Sequence, residues 1–299
     1  MQIVKHVIPV ILLACMLCGC ARKPAEAPQE TDPTTVTTTQ PSTPSDTTPP
    51  PDTSIPPETT LPPDSETPSI LDFLKIATQP VGQTMYVWGG GWNEADTGAG
   101  IEAVTLGPSP QWAAFAAAQN SDYNYNNTRY QIHDGLDCSG YLGWAVYNVM
   151  ETENGRPGYV GKSSTMAQDL SSRGLGNYIP AQSMTQWLPG DIMSMPGHVW
   201  ISVGMCNDGS VLLLHASPPG VMFSGTLLSD GSESQASALA AQIMREHFPN
   251  WHSRFPISSR PASYLKTSSA MRWSEDVLRD PENLRSMTAE EVVELIFPT

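Results

Sequence analysis

Apolar positions along this chain change texture three times. Val7–Leu17 is a nearly unbroken apolar run behind Lys5 and His6. From Ala21 to Ser69 the only sizeable apolar residues are Val36, Ile55 and Leu61, scattered among thirteen prolines and thirteen threonines. From Ile70 onward apolar residues return, first at helical spacing and then, beyond about residue 190, in alternating or continuous runs rich in aliphatic side chains. The spacing predicts helices over residues 69–78, 110–120, 138–150 and 163–174, the second opened by Pro110 and the last closed by Gly174. Strands are predicted over residues 190–195, 198–204, 210–217 and 221–228, with Asn207-Asp208-Gly209 as a hairpin turn. Helices over residues 233–248 and 289–297 complete the reading. Helices first and an antiparallel sheet second indicate an α+β fold, a helical half packed on the sheet.

The texture also divides the chain. Residues 1–20 combine a charged start, an apolar run too short to span a ~30 Å bilayer and a small-residue exit, which is the pattern of an export signal. Leu17 stands three residues before Cys20, as in a bacterial lipobox, so Cys20 is the expected lipidation site; a plain cleaved signal is the simpler alternative. Residues 21–69 cannot bury a core. As a polyproline-like tether they would extend ~150 Å at ~3.1 Å per residue. Residues 70–299 are long enough for one domain, with a core expected over about 70–228 and an extension over 229–299.

The net charge of −15 comes without any Lys/Arg cluster, so nucleic acid is excluded as a partner, and a monomer is expected. The five cysteines are Cys15, Cys18, Cys20, Cys138 and Cys206. After cleavage before Cys20 only two unlipidated thiols remain, too few for a disulfide-built scaffold.

Cys138 opens the helix 138–150, where unsatisfied backbone N–H groups and the helix dipole favour a thiolate and could receive an oxyanion. His198 follows the Pro196-Gly197 break and His215 ends the partner strand across the turn, so one imidazole can serve as base and the other as its orienter. A thiolate–imidazolium pair would make activity fall on both the acid and the alkaline side. A buried cysteine is also an ordinary core residue, and Cys206 reads as one. Cys138, His198 and His215 as three zinc ligands is the rival chemistry, without the CxxC or HExxH spacing that would support it. No cofactor or metal is expected. His133 reads as a surface or supporting residue, and His247 and His252 as ordinary.

Tyr86-Val87-Trp88-Gly89-Gly90, Asp137-Cys138-Ser139-Gly140, Leu188-Pro189-Gly190-Asp191-Ile192, His198-Val199 and His215-Ala216-Ser217, in this order, resemble the NlpC/p-sixty papain-like cysteine peptidases over roughly residues 70–228. The resemblance implies Cys138 as nucleophile, His198 as base and His215 as orienter, with Tyr86, Asp137 and Ser139 lining the substrate site. It implies cleavage of bacterial cell-wall stem peptides, typically at a γ-D-glutamyl bond to a diamino acid. The lipobox-like signal adds the expectation of an anchor through Cys20 on the outer face of the cytoplasmic membrane. Two features depart from the pattern. The stretch from Gly91 to Asp137 is long and rich in Trp, Tyr and Asn, as a lid or specificity wall would be. The hairpin from His198 to His215 is also long, and a one-residue slip in its register would turn His215 away from His198. A catalytically silent wall-binding module and a thiol acyltransferase are the alternative functions.

Overall fold

A computed structural model describes residues 67–150 and 158–298. The export signal, Cys20 and nearly all of the tether lie outside the described residues. No helix among the described residues is long and apolar enough to cross a membrane.

The chain runs through α1 (Ile70–Thr78), β1 (Met85–Tyr86), α2 (Pro110–Ala117), β2 (Gly135–Leu136), α3 (Cys138–Met150), α4 (Met166–Ser172) and β3 (Gly176–Ile179). It continues through β4 (Ile192–Met195), β5 (His198–Met205), β6 (Val211–Ser217), β7 (Gly220–Thr226), α5 (Gln235–His247) and α6 (Pro249–His252). Then come β8 (Ser259–Arg260), α7 (Ser263–Thr267), β9 (Ser269–Trp273) and α8 (Ala289–Ile296). The fold is α+β, with the sheet order β2-β1-β7-β6-β5-β4-β9-β3 and β8 paired to β7. The sheet is mixed rather than purely antiparallel, because the two-residue strands β2 and β8 join β1 and β7 in parallel.

Local chemistry accounts for the helix boundaries. Ser69 caps α1 by accepting the Asp72 N–H at 3.1 Å, while the Asp72 carboxylate accepts the Ser69 N–H at 2.8 Å. A reciprocal cap of this kind contributes about 1 kcal/mol. Every residue of α3 from Cys138 to Val149 is buried. Such a helix has no solvent face, and packing on all sides, rather than amphipathic periodicity, holds it in place. Its contacts include α1 and the strands β5 and β6.

The segment after residue 229 is woven into the domain. β9 lies inside the sheet between β4 and β3, pairing with Gly176–Ile179 on one side and Ile192–Ser194 on the other. Arg272 of β9 clamps Asp191, with Nε donating to Oδ1 at 2.9 Å and Nη2 to Oδ2 at 2.7 Å. Asp191 also accepts the Leu188 N–H at 3.0 Å, which fixes the Leu188–Asp191 turn that leads into β4.

The β5–β6 register contains a bulge. Met205 opposes Val211 and Gly204 opposes Leu212, but Ser202 opposes Leu213 and Ile201 opposes Leu214, leaving Val203 as the extra residue. Gly204 takes φ +139° there, a conformation open to glycine and strained for other residues. Continued past Ile201, this register sets Trp200 opposite His215 and His198 opposite Ser217. Without the bulge His215 would oppose Ile201 and face the other side of the sheet.

Candidate active site

Asp137, immediately before α3, organises the helix start. Its Oδ1 accepts the Gly140 N–H at 2.8 Å and the Ser139 hydroxyl at 2.9 Å, and its Oδ2 accepts the Gly89 N–H at 3.3 Å. Ser139 Oγ in turn accepts the Trp92 indole N–H at 3.1 Å. The loop at residues 89–91 lies directly on the first turn of α3: a Cβ on Gly140 would come within 2.0 Å of the Gly90 carbonyl oxygen. Backbone packed on backbone therefore fixes where Cys138 sits. The Asp137 carboxylate takes up the Gly140 N–H and the Asp137 carbonyl that of Tyr141. The donors at the thiol are therefore the Cys138 N–H and the Ser139 N–H, the latter shared with the Asp137 carboxylate.

The Val199 N–H also donates toward the Cys138 thiol, so the thiol stands beside the start of β5. The adjacent His198 places Nε2 3.1 Å from Nδ1 of His215, and Ser217 Oγ lies 3.5 Å from the same Nε2. Nδ1 is then the His198 nitrogen left for proton transfer. His215 is fully buried, and its Nε2 is 3.0 Å from Ser224 Oγ and 3.3 Å from Arg260 Nε. The sequence left the pairing of the two histidines to the hairpin register, and the bulge is what brings them together. Their nitrogens engage each other instead of converging with Cys138 on one point. Among the described residues no group of three His, Cys, Asp or Glu side chains is arranged to hold a metal ion.

The electrostatics differ from the expected thiolate–imidazolium pair. Burial, reinforced by the charge of Asp137, pushes the Cys138 thiol up to about 12, against the opposing pull of the Val199, Ser139 and Cys138 N–H groups. Burial, and then the Arg260 cation, push His198 down to about 3. His215 moves in the same direction for the same two causes, with His198 adding to them. Desolvation outweighs the helix dipole here, because both groups lose water on nearly every side. The resting site holds a neutral thiol and neutral imidazoles. Asp137 is raised by burial, which four hydrogen bonds oppose, from the Gly140 N–H, the Ser139 hydroxyl and the Gly89 and Ser139 N–H groups.

Tyr86, Asp137, Cys138 and Ser139 meet in one cavity of about 390 Å³, together with Trp88, Trp92, Lys162 and Gly197. The Tyr86 ring packs edge-on against Tyr125 at 5.5 Å. Burial, and then the nearby Cys138 and Asp137, push its hydroxyl well above the ordinary tyrosine range. Cys206 is buried and unpaired at the far end of β5. His133 bonds through Nδ1 to the buried Glu102, which raises its pKa, and it lies away from the thiol cavity.

Four participants escaped the sequence. Trp92 and Lys162 stand in loops without periodic pattern. Arg260 and Tyr264 come from the segment after residue 229: Arg260 reaches His215, and the Tyr264 ring lies 5.6 Å from that of His198. Arg260 ends the two-residue β8 and Tyr264 stands in the five-residue α7, elements too short to carry a periodic pattern, so only their residue type could have signalled them.

Comparisons with protein-family models, with curated proteins and with solved structures find no match to this chain.

Proposed function

We propose that this protein is a papain-like cysteine peptidase of NlpC/p-sixty type that hydrolyses peptidoglycan stem peptides, with the γ-D-glutamyl bond to a diamino acid as the expected target. The observation that supports it most is the thiol of Cys138, at the N-terminus of a buried helix, facing the Val199 N–H at the start of β5, next in the chain to His198, whose ring is bonded to His215. In this reading the histidine pair adopts the tautomer in which His198 Nε2–H donates to His215 Nδ1 and His215 Nε2–H donates to Ser224 Oγ, leaving His198 Nδ1 unprotonated. Cys138 then attacks the carbonyl carbon as that nitrogen withdraws the thiol proton, so charge separates only during attack. The N–H groups of Cys138 and Ser139 receive the developing oxyanion. His198 then returns the proton to the leaving amine, and water releases the acyl group from sulfur. Lys162 supplies a positive charge in the thiol cavity for the free α-carboxylate that a γ-linked glutamyl residue carries. Export, lipidation at Cys20 and attachment to the outer face of the cytoplasmic membrane belong to the same proposal.

Digestion of defined wall peptides by the full chain, beside Cys138→Ala, tests it: product from the first protein alone supports the proposal, and equal or absent product from both overturns it. The raised thiol favours a second reading, a wall-binding module with an inert cysteine. An alkylation rate at neutral pH no faster than that of a free thiol, without turnover, would select that reading.

A further inference from the structure

The segment between Gly91 and Asp137 builds a second cavity, of about 470 Å³, that shares Gly89, Trp92, Asp96 and Tyr130 with the thiol cavity. Its volume falls within the range of small-molecule sites. Tyr130 forms part of its wall in an unusual way. Its φ is +64°, it is 65 % exposed, and its N–H donates to the Trp88 carbonyl at 2.8 Å with its ring against Gly89. A bulky residue held in the left-handed region, with its ring in solvent, gains little packing in return for the strain, and such positions concentrate at binding sites.

Apart from Ile132, the rest of the lining is largely planar and polar. Gln111 donates through Nε2 to Asp134 Oδ1 at 2.7 Å, which leaves its carbonyl and the second Asp134 oxygen as acceptors; Gln131 adds an amide. Glu94, Asp96 and His133 also line it, and no lysine or arginine does. The His133 ring is already bonded to Glu102, so an anion would face three carboxylates with no free cation to answer it. A cation would use the carboxylates and leave the amide donors unanswered. A hydroxyl or acetamido group needs a donor and an acceptor together, which paired amides and carboxylates supply. The C–H face of a sugar ring is apolar and flat enough to cover an aromatic ring.

We infer that this cavity is a saccharide subsite, taking a neutral amino-sugar ring of the glycan strand while the attached peptide reaches Cys138. The inference rests on the peptidase reading for the second half of that statement and on the cavity's own lining for the first. The preferred substrate would then be a stem peptide still linked to glycan.

The test compares kcat/KM of the full chain on a disaccharide-linked stem peptide and on the same peptide freed of sugar. A preference of about tenfold or more for the linked form, falling toward one in Tyr130→Ala and in Gln111→Ala, is the expected result. Equal rates in the unaltered protein, a preference for the free peptide, or a ratio untouched by both substitutions would overturn it. Cleavage of neither substrate would count against the peptidase reading alone. The disaccharide without peptide then decides: saturable quenching of tryptophan fluorescence that Tyr130→Ala abolishes upholds the subsite, and its absence refutes it.

Discussion

Arg260 Nε lies 3.3 Å from His215 Nε2. A guanidinium can only donate, so at rest this nitrogen of His215 is the acceptor, its proton lies on Nδ1 and is donated to His198 Nε2, and His198 holds its own proton on Nδ1. Acting as base needs the other tautomer, in which His198 Nε2–H donates to His215 Nδ1 and His215 Nε2–H turns to Ser224 Oγ. Among the described residues no carboxylate forms an ion pair with Arg260; its other contacts are the Ser259 carbonyl at 3.2 Å and Met222 sulfur at 3.9 Å. Its positive charge therefore acts on the imidazoles, holding both toward the neutral form. Arg260→Met should let the His198 pKa rise, so that the base is protonated at higher pH. The acid limb of kcat/KM on a wall peptide should move to higher pH by on the order of one pH unit. Arg260→Lys keeps the charge without the directed donor and should leave the limb near its original place while lowering the rate. An unmoved limb in Arg260→Met, read also from the His198 ring resonances, would reject this role.

The same imidazoles tie stability to pH. Both are neutral in the folded protein, whereas in the unfolded chain they take up protons near 6.5. As pH falls below 6.5 the unfolded state binds more protons, so stability present above that pH is lost progressively toward about pH 3. The expected slope is up to about 1.4 kcal/mol per pH unit for each histidine. His133, raised by Glu102, and Asp137 and Asp191, raised by burial, contribute with the opposite sign. Comparison with His215→Gln isolates the effect. Urea unfolding from pH 7 to 4.5 should lose stability less steeply in that variant, by about one proton's worth of slope; parallel lines would contradict the assignment.

Asp191 is a buried carboxylate whose compensating charge arrives from 81 residues away in sequence. Burial raises its pKa and Arg272 opposes that shift. Arg272→Ala strands the carboxylate and should cost about 3–5 kcal/mol. Asp191→Asn with Arg272→Met removes both charges and should recover most of the loss. Chemical denaturation of the two variants checks this, and the double variant proving less stable than the single one would refute it.

The elements that were legible in the sequence are those whose side chains report their own environment. SILDFLKIAT carries both its cap and its apolar stripe, and β5 to β7 advertise themselves by aliphatic runs around an Asn-Asp-Gly turn. Cys138 and the two histidines stood out as candidates in an ordered set of motifs, and the structure brings the two histidines into contact. β9 was not, because Ser269–Trp273 gains its place only through partners on both sides, and nothing local announces them. Arg260 was invisible for the same reason, since its partner is a histidine 45 residues earlier. The histidine pairing was undetermined because one bulged residue decides it, and a bulge has no composition of its own.

That bulge yields the last prediction. Gly204 carries φ +139°, and the one-residue offset at Val203 is what brings His215 to the His198 side of the sheet. A β-branched residue at position 204 penalises the bulged conformation and so favours a regular ladder running back from Met205–Val211, in which His215 opposes Ile201. Gly204→Val should destabilise the fold by about 1–3 kcal/mol. It should reduce activity at temperatures where the protein is still fully folded, because the nitrogen contact between the histidines is lost. Gly204→Ala, strained but smaller, should lose stability with a milder effect on turnover. Circular dichroism establishes the folded fraction, and nuclear Overhauser contacts between the two imidazoles report the register. Retention of those contacts with full activity in folded Gly204→Val would show that the bulge does not set the histidine pair.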